Sequence, residues 1–166
     1  MVTMEFLFQT CERIEHPMPG APNVDSRNQC IRVLVVDDNS ADAKFVQWVL
    51  ARCDIARFEI IRAERLSAAL PIAQSRRCDL VLLDLSLPDA LGLPSLREFA
   101  LAAPSIPIIV LTGLDEESTV LQAIGHGAQD YFVKGRDDMG LLSRSIRFAI
   151  ERKAFEERRV KRAYQV

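Results

Sequence analysis

The stretch LVLLDLSLPD, residues 80–89, decides the fold. Its first four residues form an uninterrupted apolar run that ends at Asp84 and is followed by a turn containing Pro88. A short run of this kind predicts a β-strand that is buried on both faces of a parallel sheet. Asp84 then lies at the carboxyl end of the strand, where open parallel sheets form their ligand-binding crevices.

Three other apolar runs also end at side chains that can take part in chemistry. They are residues 31–36 before Asp37 and Asp38, residues 106–111 before Thr112, and residues 131–133 before Lys134. If these runs are neighbouring parallel strands, we expect the carboxylates, the hydroxyl and the ammonium to meet at one edge of the sheet.

The composition indicates one globular domain with room for extensions. The chain has 166 residues, of which 49% are hydrophobic and 27% are charged, values that are ordinary for globular proteins. Its net charge of -2 does not favour a nucleic-acid or membrane partner. No apolar run is long enough to span a membrane, and the amino terminus is a poor signal peptide, so we expect a cytoplasmic protein.

Two terminal segments differ from the rest. Residues 1–30 contain three Pro and one Gly in a polar setting, which predicts a flexible arm. Residues 151–166 contain no Gly or Pro and are rich in helix formers, which predicts a helical extension or linker. From residue 141 onwards, eight Lys or Arg stand against three Glu, so the positive charge is concentrated in this tail.

The cysteines are four in number, widely spaced, and form no Cys-x-x-Cys pair. We therefore expect reduced thiols without a metal or redox role.

The remaining pattern predicts five strands that alternate with five helices. Residues 57–62 alternate like a half-exposed edge strand, and Ser40 is a candidate cap for a first helix that ends near Cys53. In that helix Phe45, Trp48 and Val49 form an apolar stripe, which places Trp48 in the core. Strands and helices in strict alternation, joined by short loops, predict an α/β fold: a doubly wound parallel sheet in a three-layer α/β/α domain.

In these motifs the chain resembles the receiver domains of two-component response regulators. The resemblance covers residues 31–150 and depends on four fragments in this order: VVDD at 35–38, LDLSLPDALG at 83–92, LTG at 111–113 and DYFVK at 130–134. Each fragment alone is weak, but four in order, each closing an apolar strand, are specific. The resemblance implies a flavodoxin-like, CheY-like sheet of strand order 2-1-3-4-5.

The resemblance also implies a role for each site residue. Asp84 would accept a phosphoryl group from a histidine kinase or a histidine phosphotransfer protein, with Lys134 and Thr112 contacting that group and Thr112 and Tyr131 acting as the switch. Mg²⁺ would be held by Asp37, Asp38, Asp84 and the backbone carbonyl of Ser86. The residues themselves agree with a hard cation, since clustered carboxylates repel one another unless a cation neutralises them. The response would be a changed surface on the fourth helix, fifth strand and fifth helix.

Two departures from the family pattern bear on this site. Gly135 follows Lys134 where the family usually has Pro, which predicts a more mobile loop. Ser86 and Leu114 stand at positions that influence the attacking water, and neither offers an amide or a carboxylate. We therefore expect a long-lived phosphoryl group.

The sequence is compatible with several alternatives. The chain is either a stand-alone receiver or a receiver fragment of a larger regulator with a separate, unknown output domain or partner. A homodimer through the switch surface or the last helix is a candidate assembly, and a phosphorylation-independent interaction module is the functional alternative. We do not expect a free-standing enzyme. A phosphatase with an Asp nucleophile would need a second Asp two residues later, where Ser86 stands.

Overall fold

Five parallel strands form the centre of the protein. In a computed structural model, which describes residues 30–53, 56–113, 117–135 and 139–165, these strands are β1 (Cys30–Val36), β2 (Arg57–Ala63), β3 (Leu80–Asp84), β4 (Ile108–Thr112) and β5 (Asp130–Val133). Their order across the sheet is β2-β1-β3-β4-β5, and every neighbouring pair is parallel. The predicted strand order and the edge position of β2 are therefore confirmed.

Five helices cover the two faces of this sheet. They are α1 (Ser40–Ala51), α2 (Leu66–Gln74), α3 (Leu93–Ala102), α4 (Glu117–Gly125) and α5 (Met139–Ala163). Residues of α2, α3 and α4 share one buried cluster with one face of the sheet. Residues of α1 and α5 share a second cluster with the other face. The three-layer α/β/α architecture predicted from the sequence is therefore confirmed.

Strand β3 shows why the apolar run 80–83 decides the fold. Its side chains alternate between the two clusters, with Val81 and Leu83 on the α2–α3–α4 side and Leu80 and Leu82 on the α1–α5 side. All four are fully buried, as expected for a central strand covered by helices on both faces. The carboxyl end of this strand is the natural place for a site.

The loop after β3 forms a short hairpin and contacts the start of α2, a helix that is distant from it in sequence. Residues Ser86–Leu87 pair with Ala90–Leu91 in antiparallel fashion. Between them, the Asp89 carboxylate accepts hydrogen bonds from the backbone N–H groups of Leu66 (2.9 Å) and Ser67 (3.0 Å). Asp89 therefore caps α2 from another part of the chain, because Arg65, the residue at the N-cap, makes no side-chain cap.

Helix α1 corrects two predictions. The cap is Asn39, whose side chain accepts from the backbone N–H of Ala41 at 2.9 Å, and Ser40 is the first helical residue. Trp48 is 44% exposed rather than part of the core. Its ring stacks on Phe45 and lies under the guanidinium of Arg52 at 4.0 Å. The helix has apolar residues on more than one face. Those that are buried in the core are Ala43, Val46, Val49 and Leu50.

The terminal predictions have different outcomes. The last helix does continue past residue 151, since α5 runs to Ala163. The predicted arm, residues 1–30, lies outside the described residues except for its last residue, Cys30. No helix in the described ranges is long and apolar enough to cross a membrane.

The prediction of reduced thiols is confirmed for two cysteines and wrong for a third. Cys53 and Cys78 are free thiols, as expected. Cys30 is disulfide-bonded, so the prediction was wrong for this residue. The prediction considered only Cys-x-x-Cys spacing, whereas a disulfide can join cysteines that are distant in sequence.

Candidate functional site

The carboxyl ends of four adjacent strands bring the predicted site residues together. Asp37 directly follows β1, Asp84 ends β3, Thr112 ends β4 and Lys134 directly follows β5. The register aligns these ends, because Val36 lies beside Leu83, Asp84 beside Leu111 and Thr112 beside Val133. Parallel pairing in this register is sufficient to place the groups at one edge of the sheet.

Lys134 is the centre of the hydrogen-bond network. Its Nζ donates to Oδ2 of Asp37 at 2.7 Å, to Oδ2 of Asp84 at 2.8 Å and to Oδ2 of Asp42 at 2.9 Å. Its backbone N–H donates to the carbonyl of Thr112 at 2.8 Å. An ammonium has three protons to donate, so these three carboxylates use its full capacity.

The carboxylates of the cluster are buried to different extents. Asp37 is completely buried and Asp84 nearly so, whereas Asp38 is exposed. Burial raises the pKa of Asp37 above its ordinary value, although the hydrogen bonds from Lys134 and the backbone N–H of Asn39 oppose that effect. Burial lowers the pKa of Lys134, but the hydrogen bonds to Asp37, Asp84 and Asp42 outweigh it and raise the pKa overall. Lys134 is therefore protonated at neutral pH.

The chemistry of the donor set fits a hard divalent cation. One carboxylate oxygen from each of Asp37, Asp38 and Asp84 lies within 4.8 Å of the others. Oxygen ligands of this kind suit Mg²⁺, which binds through one or two carboxylates and keeps several waters. The backbone N–H of Ser86 donates to Oδ1 of Asp84 at 2.9 Å, so this part of the loop lies against the same carboxylate. This contact is made by the N–H group of Ser86, and the role of its carbonyl as a ligand stays a prediction.

Thr112 contributes a hydroxyl that its surroundings do not use. The residue is completely buried at the end of β4, and its Oγ1 has no hydrogen-bond partner within the described part of the chain. Burying a hydroxyl without a partner costs free energy. Such an orphaned donor at the edge of an acidic cluster is well suited to an oxygen-rich ligand.

Three further residues named from the sequence are Tyr131, Leu114 and Gly135. Tyr131, in β5, is half-buried and packs against the cluster on the α2–α3–α4 side of the sheet. Leu114 lies outside the described residues. Gly135, which follows Lys134, adopts φ +81°, a backbone conformation that glycine reaches more readily than other residues.

Asp42 is the site residue that the sequence reasoning missed. It lies in the first turn of α1, five residues after Asp37 and away from any strand end. The available signal was its position, because the first turn of the helix after an acidic strand-end loop must lie near that loop. Acidic residues in a first helical turn are common for a local reason, the helix dipole, so the signal is weak alone.

Comparison with known families gives a match over most of the chain. The family model described as "Response regulator receiver domain" matches residues 33–146. The KDP operon transcriptional regulatory protein KdpE of Escherichia coli (strain K12) is 36% identical over 120 residues, which cover 72% of this chain and 51% of KdpE. The cell cycle transcriptional regulator CtrA of Caulobacter vibrioides is 32% identical over 104 residues, which cover 63% of this chain and 44% of CtrA.

Solved structures agree with the sequence matches. A response regulator receiver domain protein from Clostridium thermocellum has a TM-score of 0.65 and 28% identity, covering 75% of this chain and 98% of that one. The signal receiver domain of an HD domain-containing protein from Pseudomonas fluorescens Pf-5 has a TM-score of 0.68 and 26% identity, covering 84% and 98%. The chain spans about half the length of these two curated relatives, KdpE and CtrA.

Proposed function

Because this chain belongs to the response regulator receiver domain family of two-component systems, we propose that it is a phosphoacceptor switch whose acceptor is Asp84. In this proposal Asp84 takes a phosphoryl group from a histidine kinase or a histidine phosphotransfer protein. The protein is then a signalling domain rather than a free-standing enzyme.

The observation that carries the proposal is the position of the Asp84 carboxylate. It is 90% buried, accepts from Lys134 Nζ at 2.8 Å and belongs to the three-carboxylate cluster. Phosphoryl transfer demands mainly positioning of the reactants and neutralisation of negative charge. A nucleophilic carboxylate beside a fixed ammonium and a set of cation ligands meets both demands.

Each residue has a separate task in the proposed transfer. An Asp84 oxygen attacks phosphorus, the P–N bond of the donor phosphohistidine breaks, and the imidazole leaves with the electron pair, which gives an acyl phosphate. Lys134 exchanges its hydrogen bond to the Asp84 carboxylate for one to the phosphoryl oxygens, and the Thr112 hydroxyl supplies the donor that its surroundings do not use.

The cation would be held by Asp37, Asp38 and Asp84, with the carbonyl of Ser86 as the fourth protein ligand. When bound, Mg²⁺ supplies positive charge that offsets the repulsion between the carboxylates and the incoming phosphoryl group. Asp37 is suited to hold it because this carboxylate is fully buried and fixed by hydrogen bonds with Lys134 and Asn39.

The proposed response begins at Thr112 and reaches Tyr131. A phosphoryl group on Asp84 would draw the Thr112 hydroxyl towards it, and the space left beside β4 would let the half-buried Tyr131 side chain turn inward. The altered surface would comprise α4, β5 and α5, so that a local change of charge alters the affinity for an output partner or for a second copy of the chain.

Labelling with acetyl phosphate tests the acceptor directly. With Mg²⁺ present we expect intact-mass spectrometry to show the addition of one phosphoryl group to the wild-type chain, and no addition with EDTA. Asp84→Asn should abolish the labelling because the amide is not a nucleophile. The decay of the labelled species gives the phosphoryl lifetime, for which we expect a long-lived product.

Asp89→Asn is the matched control for this experiment. Asp89 is a carboxylate in the same loop, but it caps α2 and lies outside the three-carboxylate cluster. This variant should be labelled like the wild type. Equal labelling of Asp84→Asn and the wild type would contradict the assignment. Failure of the wild type to take up a phosphoryl group from acetyl phosphate or a histidine kinase would favour the interaction module.

A further inference from the structure

A third carboxylate, Asp42, contacts the site lysine from outside the strand ends. It lies in the first turn of α1, and its Oδ2 accepts from Lys134 Nζ at 2.9 Å. The side chain of Asp42 is 34% exposed and that of Lys134 is 21% exposed. The contact is thus partly shielded from water, which makes an ion pair stronger than one on the open surface.

Asp42 differs from the other two carboxylate partners of Lys134 because it has no further role in the proposed site. Asp37 and Asp84 belong to the set of carboxylates that could hold a cation, and Asp84 is also the proposed acceptor. Asp42 is not part of that set. Among the carboxylates that contact Lys134 in the described ranges, it alone has no second task.

Lys134 therefore needs Asp42 most when the site is in use. Once the cation engages Asp37 and Asp84, and the phosphoryl oxygens take a hydrogen bond from the ammonium, the bonds from Nζ to those two carboxylates are weakened or replaced, whereas the bond to Asp42 is not. The next residue, Gly135, has no side chain that could pack beside the lysine, and the space where its Cβ would lie is open. Among the hydrogen bonds that Nζ makes within the described ranges, only the one to Asp42 ties it to a helix, α1, which packs on the sheet.

We propose that Asp42 is a positioning residue that holds the ammonium of Lys134 in place during phosphoryl transfer to Asp84. The proposal rests on the proposed phosphoacceptor function. Asp42 does not touch the reacting atoms; it acts through Lys134. Its removal should lower the maximum rate of the transfer and leave the affinity for the phosphodonor nearly unchanged, because donor binding does not require a fixed lysine to the same degree.

Labelling kinetics with acetyl phosphate at saturating Mg²⁺ form the first arm of the test. For Asp42→Ala we expect the maximum rate constant to fall by about fivefold, with a KM for acetyl phosphate close to that of the wild type. Asp42→Asn keeps an amide oxygen that accepts a hydrogen bond but carries no charge. Its maximum rate constant should lie between those of the wild type and Asp42→Ala. Glu98→Ala, which removes an exposed carboxylate from α3, is the matched control and should behave like the wild type.

The ammonium signal of Lys134 forms the second arm. The chain contains four lysines, so ¹⁵N spectra of the side-chain ammonium groups are simple to assign with a Lys134→Ala variant. An ammonium held by three hydrogen bonds exchanges its protons slowly and gives an observable signal. We expect that signal in the wild type and in Glu98→Ala, and its loss or broadening in Asp42→Ala.

The outcomes separate this inference from the proposed function. If the wild type is labelled but Asp42→Ala matches Glu98→Ala in both arms, the positioning role is overturned and the phosphoacceptor function stands. Faster labelling of Asp42→Ala would also overturn it, since that result would mean that Asp42 acts only by repelling the anionic donor. If the wild type is not labelled by any phosphodonor, the function fails and this inference fails with it.

Discussion

At the amino end of the sheet one arginine meets one aspartate, whereas at the carboxyl end one lysine meets three carboxylates. Arg32 of β1 donates to the Asp79 carboxylate through Nη2 at 2.8 Å, Nε at 3.1 Å and its backbone N–H at 2.8 Å. In return the backbone N–H of Asp79 donates to the carbonyl of Arg32 at 2.8 Å. Lys134 has a comparable number of contacts but cannot balance the charge of its partners.

This difference in charge balance distinguishes an ion pair that stabilises the fold from a cluster that is suited to bind a ligand. The Arg32–Asp79 pair is balanced and about one third exposed, so solvent reaches both side chains. The carboxyl end buries Asp37 completely and leaves the Thr112 hydroxyl without a partner in the described residues. A site that keeps excess negative charge and an orphaned hydroxyl is less stable alone than it would be with a cation and a phosphoryl group.

Removal of the lysine should have the largest effect on stability. Lys134→Met leaves Asp37 buried and its charge uncompensated, so we expect the free energy of unfolding to fall by about 3 kcal/mol in metal-free buffer. Added Mg²⁺ should restore part of that loss, because the cation replaces the missing positive charge. Urea denaturation with EDTA and with Mg²⁺ measures both effects. Equal stability of variant and wild type in EDTA would contradict the importance of the lysine at this end of the sheet.

The matching change at the amino end should have a smaller effect that does not depend on Mg²⁺. Arg32→Met removes the guanidinium from Asp79, which stays partly exposed and keeps its bond from the Arg32 backbone N–H. We expect a loss of about 1.5 kcal/mol, the same in EDTA and in Mg²⁺, and unchanged labelling by acetyl phosphate. A Mg²⁺-dependent loss, measured by the same denaturation experiment, would mean that the two ends are not independent.

A substitution at Asp89 tests what makes the carboxyl end of the sheet different from the amino end: the position itself or the excess negative charge there. It lies at that end, but its carboxylate is matched by the amides of Leu66 and Ser67. Asp89→Ala should therefore cost about 1 kcal/mol at pH 7, the usual effect of losing a helix cap, without a change in Mg²⁺ affinity. Denaturation and titration calorimetry measure the two quantities.

The pH dependence of that loss has a definite sign. Backbone hydrogen bonds, first that from Ser67, hold the pKa of Asp89 below its ordinary value in the folded protein. Its contribution is thus complete above the ordinary carboxyl pKa of about 4 and disappears as the pH falls through the lowered pKa. The difference between wild type and Asp89→Ala should shrink over that window. A difference that stays constant down to about pH 3 would mean that the charge of the cap is irrelevant.

Much of the fold could be predicted because the deciding signals are local. Apolar runs such as residues 80–83 and the helical spacing between them are visible in short windows, and alternation of strands and helices restricts the topology to a few arrangements. The prediction failed at Trp48, where an apolar stripe on a helix does not reveal which side meets the sheet. It also failed at Cys30, since spacing does not show which cysteines lie close together.

The candidate site, like the fold, could be predicted from the sequence only in part. From the sequence alone it followed that Asp37, Asp84, Thr112 and Lys134 end their strands at one edge of a parallel sheet, because that consequence needs only the strand directions. Only the tertiary structure decided that Asp42 of α1 reaches Lys134 and that Asp89 caps α2, because these contacts depend on how helices pack against the sheet. Short-range patterns encode which elements form and where they end, whereas side-chain partners across elements depend on distances that no local pattern records.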